Sequence, residues 1–175
     1  MTESNVRAEF VRIGGPDAGR QFDALSSQDK VNIIRDLETE SDLARHVSFG
    51  KPALETKSDS VGVFRAAPTV NREHTMRIPV TLWKIKVVVY RQTFAYSIRG
   101  RDVVAKHLCE GNWTGFTGLL NMQTKPTAWI STDGNATCNV DTSVDFVFKG
   151  LHTHINKRGR IVIREGRTYE SLENI

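Results

Sequence analysis

Residues 79–98 contain the feature that most constrains the fold. This run is rich in β-branched and aromatic residues, which favour strands because their side chains pack well on a pleated, half-buried surface. Alternation along the run places Lys84 and Lys86 together on the less buried face. Phe94 and Tyr96 also share a face, and burial in the core is the commoner fate of aromatic side chains. The run therefore predicts a sheet with a basic outer face.

Three other segments have the spacing or composition of helices. Apolar residues at near-helical spacing follow the capping residue Ser26, which predicts a helix over residues 26–39. Residues 101–109 place their apolar side chains on one helical face, and Gly111 supplies a stop signal, so a helix is predicted there too. The apolar residues within 115–123 predict a further short helix.

The last third of the chain has short apolar stretches separated by turn signals. The predicted strands are 127–132, 136–140, 143–149, 151–156 and 160–164. A turn is expected at Asp133–Asn135, and the last two strands are expected to form a hairpin whose tip, Lys157–Gly159, carries cations. Helices followed by strands favour an α+β fold, in which an antiparallel β-sheet or meander packs with two or three helices.

A single domain with flexible ends is expected for a chain of 175 residues. Residues 1–25 are predicted to form a flexible N-terminal arm, because Gly14–Pro16 favours turns. Residues 26–167 form the domain, with a mobile loop near 50–60, and 168–175 form a frayed tail. The chain lacks both the roughly 18-residue apolar run of a spanning helix and a signal-peptide pattern, so neither a membrane-spanning nor a secreted protein is expected.

Positive charge is concentrated in two blocks of the sequence. Residues 65–106 hold nine Lys and Arg against two acidic residues, and residues 149–167 hold six against one. A polyanion, either nucleic acid or an anionic lipid surface, is the partner that such blocks favour. An ordinary solvated surface explains charge counts equally well. The residues predicted to bind phosphate, lipid or a nucleocapsid are Lys84, Lys86, Arg91, Arg99, Arg101, Lys157, Arg158, Arg160 and Arg164.

The sequence offers few residues for catalysis or cofactor binding. His152 and His154 would project from one face of a strand, yet no further ligand lies at metal-site spacing, so no metal is expected. His107 is interpreted as a half-buried histidine on a helix, and Cys109 and Cys138 as reduced thiols. Nucleophile elbows, phosphate loops and dinucleotide fingerprints are missing. The sequence therefore predicts a protein that is not an enzyme and has no cofactor.

A family resemblance is carried by Ile85–Leu108, an apolar and basic strand followed by a polar turn and an Asp-Val step into an Ala-containing segment. This block resembles the strand, turn and helix of animal rhabdovirus matrix proteins, and the Phe146–Gly150 stretch and the basic charge suit that family. The short length is similar to that of plant cytorhabdovirus matrix proteins. The lysine-rich arm and the proline-containing budding motifs of the animal proteins are missing from this chain.

The resemblance implies a structural role. Many copies would self-associate into a lattice, condense the viral nucleocapsid of nucleoprotein and RNA, and link it to the anionic inner face of the envelope. The tail of the envelope glycoprotein is a further candidate partner. The implied location is the virion, beneath the envelope, and the host cytoplasm and internal membranes. The alternative is an RNA-binding viral accessory protein or silencing suppressor.

Overall fold

Two helices precede nine strands in the part of the chain that the structure, a computed structural model, describes: residues 1–40, 42–60, 68–115 and 119–175. The helices are α1 (Glu3–Asp23) and α2 (Ser27–Thr39). The strands are β1 (Val47–Phe49), β2 (Ala53–Ser60), β3 (Thr69–Leu82), β4 (Ile85–Arg99), β5 (Asp102–Thr114), β6 (Leu119–Ile130), β7 (Ala136–Phe148), β8 (Leu151–Arg164) and β9 (Arg167–Asn174). All the named strands pair antiparallel. The α+β class with antiparallel sheets is confirmed.

The strands form two sheets that pack face to face. In the five-stranded sheet the order is β1, β3, β4, β5, and β2 also pairs with β3. The four-stranded sheet is a meander of β6 to β9. Phe94 and Tyr96 are fully buried between the sheets, against residues such as Cys138 and Ile161 of the other sheet. Their predicted place in the core is confirmed.

The β-rich run of residues 79–98 is a hairpin and not one strand. The chain reverses at Trp83 and Lys84, whose φ angles of 46° and 68° suit a tight hairpin turn. Glycine or asparagine usually marks such a turn, and neither is present here. The Trp83 ring packs on Phe148 and Phe10, and its Nε1 donates to Asp36 Oδ2 at 3.2 Å. These tertiary contacts hold the turn, which the local pattern could not reveal.

The two helices cover one end of the sandwich. Val6, Phe10 and Phe22 of α1 are fully buried, together with Ile33 of α2 and apolar residues from the adjacent strand ends. The helix predicted over 26–39 is confirmed as α2, with Ser26 accepting from Asp29 N. Among the residues that the structure describes, no helix combines the length and the apolar composition that crossing a membrane requires.

The prediction of a flexible arm over residues 1–25 is wrong, because Glu3–Asp23 is helical and packed. Gly14, Gly15 and Pro16 suggested turns, but they form a kink inside α1. Gly15 has a φ angle of 72°, and Pro16 starts the second half of the helix, where its missing N–H costs little. A Cβ on Gly14 would lie 3.2 Å from Val87 Cα, so glycine at this position lets α1 lie close to β4.

Residues 102–109 are part of strand β5 and Arg101 lies in the turn before it, so the helix predicted over 101–109 is wrong. Gly111 does not stop a helix. Instead, a Cβ at this position would lie 2.9 Å from the Tyr90 hydroxyl, so the glycine makes room for that ring in the core. Of the short helix predicted over 115–123, residues 119–123 are in strand β6 and 116–118 lie outside the described residues.

The hairpin predicted across Lys157–Gly159 is also wrong, because β8 runs unbroken through these residues. Gly159 faces the inner side of the sandwich, where a Cβ would lie 2.7 Å from the Tyr90 hydroxyl. Close approach of the opposite sheet, and not a turn, therefore requires glycine here. The turn at Asp133–Asn135 is confirmed, with Gly134 at a φ angle of 74°. The predicted loop near 50–60 and the predicted tail are largely strands β2 and β9.

A disulfide and a buried histidine are among the links that join the sheets across the core. Cys109 of β5 and Cys138 of β7 form a disulfide, so the prediction of reduced thiols is wrong. The separation of 29 residues in the sequence does not show that the two cysteines lie on facing strands. Another link is buried His74 of β3, whose Nδ1 lies 2.8 Å from Thr56 Oγ1 and whose Nε2 lies 2.9 Å from Thr168 Oγ1 of β9.

Candidate anion-binding cleft

Three cations line a cleft on the outer face of the five-stranded sheet. Arg77 of β3 and Arg91 of β4 are direct partners in the antiparallel register, so their Cβ atoms lie about 5 Å apart. Lys86, near the start of β4, completes the set. The cleft has a volume of about 300 Å³. It is lined by Ala53, Arg77, Pro79, Lys86, Val89, Arg91 and Thr114, and we call it the basic cleft.

Arg91 is electrostatically unsatisfied in this position. Like charges directly opposite each other on neighbouring strands destabilise a sheet, and the strand partner of Arg91 on the other side is the neutral Asn112. Its Nε is buried and has no hydrogen-bond partner among the described residues. A buried donor without a partner costs about 1–3 kcal/mol. An anion in the cleft would relieve the repulsion between the two arginines.

Arg77 and Lys86 remain available to such an anion. Arg77 forms an ion pair with Glu55 of β2 at 3.1 Å, but both side chains are about half exposed, at 48% and 56%. Pairs in such exposed positions are weak and exchange readily. Lys86 uses its backbone N–H to donate to Gln21 Oε1 at 2.9 Å, whereas its ammonium group has no acidic partner within the described part of the chain.

A second groove adjoins the basic cleft, between α1 and the start of β4. Its volume is about 490 Å³. The two cavities share Lys86, Val89 and Thr114 as lining residues. The groove is lined in addition by Gly14, Asp17, Arg20, Gln21, Ala24, Val87, Val88 and Gly115. We call it the α1–β4 groove.

The cations of β8 lie in a different environment. Arg158 donates from Nε and NH2 to both carboxylate oxygens of Asp141, at 2.6 and 2.8 Å, and this contact lowers the pKa of Asp141. Arg160 lies 3.5 Å from Glu173 Oε1. The Lys157 ammonium lies 4.6 Å from the centre of the Phe49 ring, and burial lowers its pKa. Arg158 and Arg160 therefore lie beside acidic side chains of their own sheet, and Lys157 lies against an aromatic ring of β1.

The remaining predicted cations lie outside the basic cleft. Lys84 is in the β3–β4 turn and lines a separate cavity near His46. Arg99 and Arg101 flank the β4–β5 turn, and Gly166, close to Arg164, lies against Arg101. At about 3.3 Å per residue, Arg99 is roughly 26 Å along β4 from Arg91. The nine predicted residues therefore lie in several separate places. Of these residues, only Lys86 and Arg91 line the basic cleft.

His152 and His154 project from the same face of β8, as predicted from their spacing. Asp145 of β7 stands opposite His154 in the ladder, with its Oδ1 2.6 Å from His154 Nδ1 and 3.5 Å from His152 Nε2. Hydrogen bonds from His154 and Asn121 lower the pKa of Asp145. His107 is an exposed residue of β5 that bonds Ser97 Oγ at 2.6 Å. It is not the half-buried helix residue that was predicted.

One group in the described part of the chain has the donors of a metal site. Asp36 and Glu40, at the end of α2, and His46 place ligand atoms within 4.8 Å of one another. His46 Nε2 already lies 2.8 Å from Glu40 Oε2, and Trp83 Nε1 donates to Asp36. The three groups are thus satisfied by each other and by Trp83. The hydrogen bond from Trp83 to Asp36 links α2 to the β3–β4 turn.

Arg77 is the one cation of the basic cleft that is not among the predicted binding residues. It belongs to the cation-rich block 65–106, but its place opposite Arg91 depends on the hairpin turn at Trp83 and Lys84. That turn carries no glycine or asparagine signal. Arg158 and Arg160 were predicted to bind an anionic partner, but they already lie beside acidic side chains. Those acidic residues become their neighbours only through the register of β7, β8 and β9.

Comparison of the chain with protein-family models, with curated proteins and with solved structures finds no match. The class of protein is therefore defined by the fold and the basic cleft alone. It is a β-sandwich with an open cationic site on one outer face.

Proposed function

We propose that the protein is a viral matrix protein that self-associates, condenses the ribonucleoprotein and links it to the inner face of the envelope. The observation that carries this proposal is the basic cleft, which Arg77, Lys86 and Arg91 line together; within the described residues, the ion pair of Arg77 with Glu55 is the only one that these three cations form. A site that keeps positive charges together without neutralising them favours a polyanionic partner.

The strength of such a contact suits an assembly protein. Each Lys or Arg near an anionic leaflet contributes about 1 kcal/mol, so three contribute about 3 kcal/mol per subunit. This is weak for one molecule. It becomes strong when many linked copies bind one surface, because binding of each further copy is then effectively intramolecular.

The local structure of Ile85–Leu108 limits what the family resemblance can support. The resemblance implied a strand, a turn and a helix, whereas the chain forms the β4–β5 hairpin. The proposal therefore rests on the arrangement of charge, together with the size and composition of the chain. Its partners are other copies of the chain, the nucleocapsid, an anionic membrane and the tail of the envelope glycoprotein. Its place is the virion beneath the envelope, and the host cytoplasm and internal membranes.

Sedimentation of the purified full chain over a salt series tests the proposal. At low salt we expect the protein to pellet with vesicles containing phosphatidylserine but not with phosphatidylcholine vesicles, and to form extended assemblies by electron microscopy. High salt should reverse both, because it screens exposed charges. A small closed oligomer that binds short duplex RNA and ignores vesicles would contradict the proposal and favour an RNA-binding accessory protein.

A further inference from the structure

The basic cleft and the α1–β4 groove differ in chemistry although they share a wall. The cleft presents Arg77, Lys86 and Arg91, whereas the apolar lining of the groove includes Ala24 and Val87–Val89, of which Val87 and Val88 are almost fully buried. A ligand with an anionic group at one end and a small apolar part at the other would fit this pair of cavities. Both volumes are in the range of small-molecule sites, about 300–1,000 Å³.

We propose that the two cavities together bind one anionic phospholipid, with its phosphate in the basic cleft and its glycerol and first acyl carbons in the α1–β4 groove. This inference rests on the proposed function and specifies how the protein would hold the envelope. Membrane attachment would then involve a defined lipid site and not only a diffuse charged surface.

The cleft has the donors that a phosphate group needs. A guanidinium fork matches phosphate oxygens in a bidentate geometry, and two such forks stand opposite each other at Arg77 and Arg91. Arg91 also keeps an Nε–H that has no hydrogen-bond partner among the described residues. Lys86 lies at the junction of the two cavities, where it adds a positive charge beside the position of the headgroup.

The groove fits the apolar end of a lipid better than it fits a nucleotide. Proteins that bind single-stranded nucleic acid stack bases on aromatic side chains, and no aromatic residue is among the described residues that line either cavity. The exposed aromatic residues Trp129 and Tyr169 lie elsewhere, on β6 and β9. On the α1 wall of the groove, Arg20 and Asp17 pair with each other.

The test is calorimetric titration of the full chain with dihexanoyl phosphatidylserine, used below its micelle concentration. We expect saturable binding of one lipid per chain, much weaker binding of dihexanoyl phosphatidylcholine, and weaker binding of inorganic phosphate than of the anionic lipid. Arg91→Gln should weaken lipid binding about 10-fold, because a charged phosphate contact is lost. Arg158→Gln serves as the matched control and should change the affinity less than 2-fold.

A second variant tests the groove separately from the cleft. Ala24 is exposed at the C-terminal end of α1 and lines the groove, so Ala24→Trp should block the acyl position without disturbing the core. We expect it to reduce lipid affinity to that of inorganic phosphate and to leave phosphate binding unchanged. Val31→Trp, at an exposed position on α2, is the control for an added surface tryptophan.

The outcomes separate this inference from the proposed function. If vesicle binding depends on Arg91 but the soluble lipid does not saturate or is insensitive to Ala24→Trp, the lipid site is wrong and the matrix function stands. If neither vesicles nor soluble lipid bind, both are wrong. Tighter binding of a single-stranded oligonucleotide than of the lipid, with the same dependence on Arg91, would also overturn the lipid site.

Discussion

The two sheets of the sandwich carry their cations in opposite ways. In the four-stranded sheet, Arg158 and Arg160 lie beside Asp141 and Glu173 on the neighbouring strands, so their charges are neutralised within the ladder. In the five-stranded sheet, Arg91 faces Arg77 and Asn112 instead. Both regions lie in blocks of the sequence that are rich in Lys and Arg. Strand register, and not charge density, decides which cations can receive a ligand.

The largest expected effect is on membrane binding. Neutralising the cleft with Arg77→Gln, Lys86→Gln and Arg91→Gln should weaken binding to phosphatidylserine vesicles about 100-fold, since each cation contributes about 1 kcal/mol. Vesicle sedimentation over a range of lipid concentrations measures the change in affinity.

The matched comparison neutralises β8 with Lys157→Gln, Arg158→Gln and Arg160→Gln, which removes the same net charge. We expect a loss of less than 3-fold. If this variant does not fold, replacing Arg158→Gln with Arg164→Gln retains the pair with Asp141. Equal losses from the cleft and β8 variants would show that net charge alone governs binding.

His74 limits the pH range in which the two sheets can be compared. Burial lowers the pKa of His74, so the unfolded chain takes up the proton first when pH falls below the ordinary histidine value of about 6.5. Stability should therefore decrease as pH falls below about 6.5 towards the lower pKa of the folded state. Denaturant unfolding at several pH values measures this, and His74→Gln should remove this part of the decrease. An unchanged pH dependence in the variant would assign it to other groups.

Thermal stability should respond with opposite signs in the two sheets. Arg158→Gln breaks a two-pronged contact with Asp141 and should lower the melting temperature by about 2 °C, a small change because the pair is partly exposed. Arg91→Gln removes a like-charge neighbour and an unsatisfied donor, so it should raise the melting temperature by about 1–2 °C. Calorimetry of both variants without ligand measures the two shifts. A loss of stability in both would mean that Arg91 has a structural partner.

The smallest effect is the pH dependence of the Arg158 contact. Because Arg158 lowers the pKa of Asp141, the contact stabilises the fold above the unfolded aspartate value of about 3.9 and is lost as pH falls through the lower folded value. The difference in stability between the wild type and Arg158→Gln should therefore be constant near neutral pH and vanish in acid. The corresponding difference for Arg91→Gln should not follow this titration.

The sequence predicted part of this structure for clear physical reasons. α2 has a capping serine and a helical apolar pattern, and Phe94 and Tyr96 are aromatic residues in a β-rich run, so local signals were sufficient. Gly111 and Gly159 misled because a glycine needed for close packing of two sheets looks like a glycine needed for a turn. Trp83 and Lys84 form a turn without turn residues, held by contacts with distant aromatic rings.

The pairing of strands distant in sequence also explains why only part of the basic cleft could be predicted. Lys86 and Arg91 were identified from their charge and strand type, but Arg77 could be added only once the β3–β4 register was known. The Cys109–Cys138 disulfide and the Asp141–Arg158 pair depend on the same kind of information. Each joins strands whose neighbours are fixed by the whole fold and not by adjacent residues.

The most direct test of the account observes the arginine side chains themselves. In nitrogen–proton correlation spectra that resolve arginine Nε–H groups, anionic lipid bicelles should shift or broaden the Arg77 and Arg91 signals and leave the Arg158 signal unchanged. A shift of Arg158 with no change at Arg91 would contradict the claim that the open cations of the five-stranded sheet, and not the paired cations of β8, contact the anionic partner.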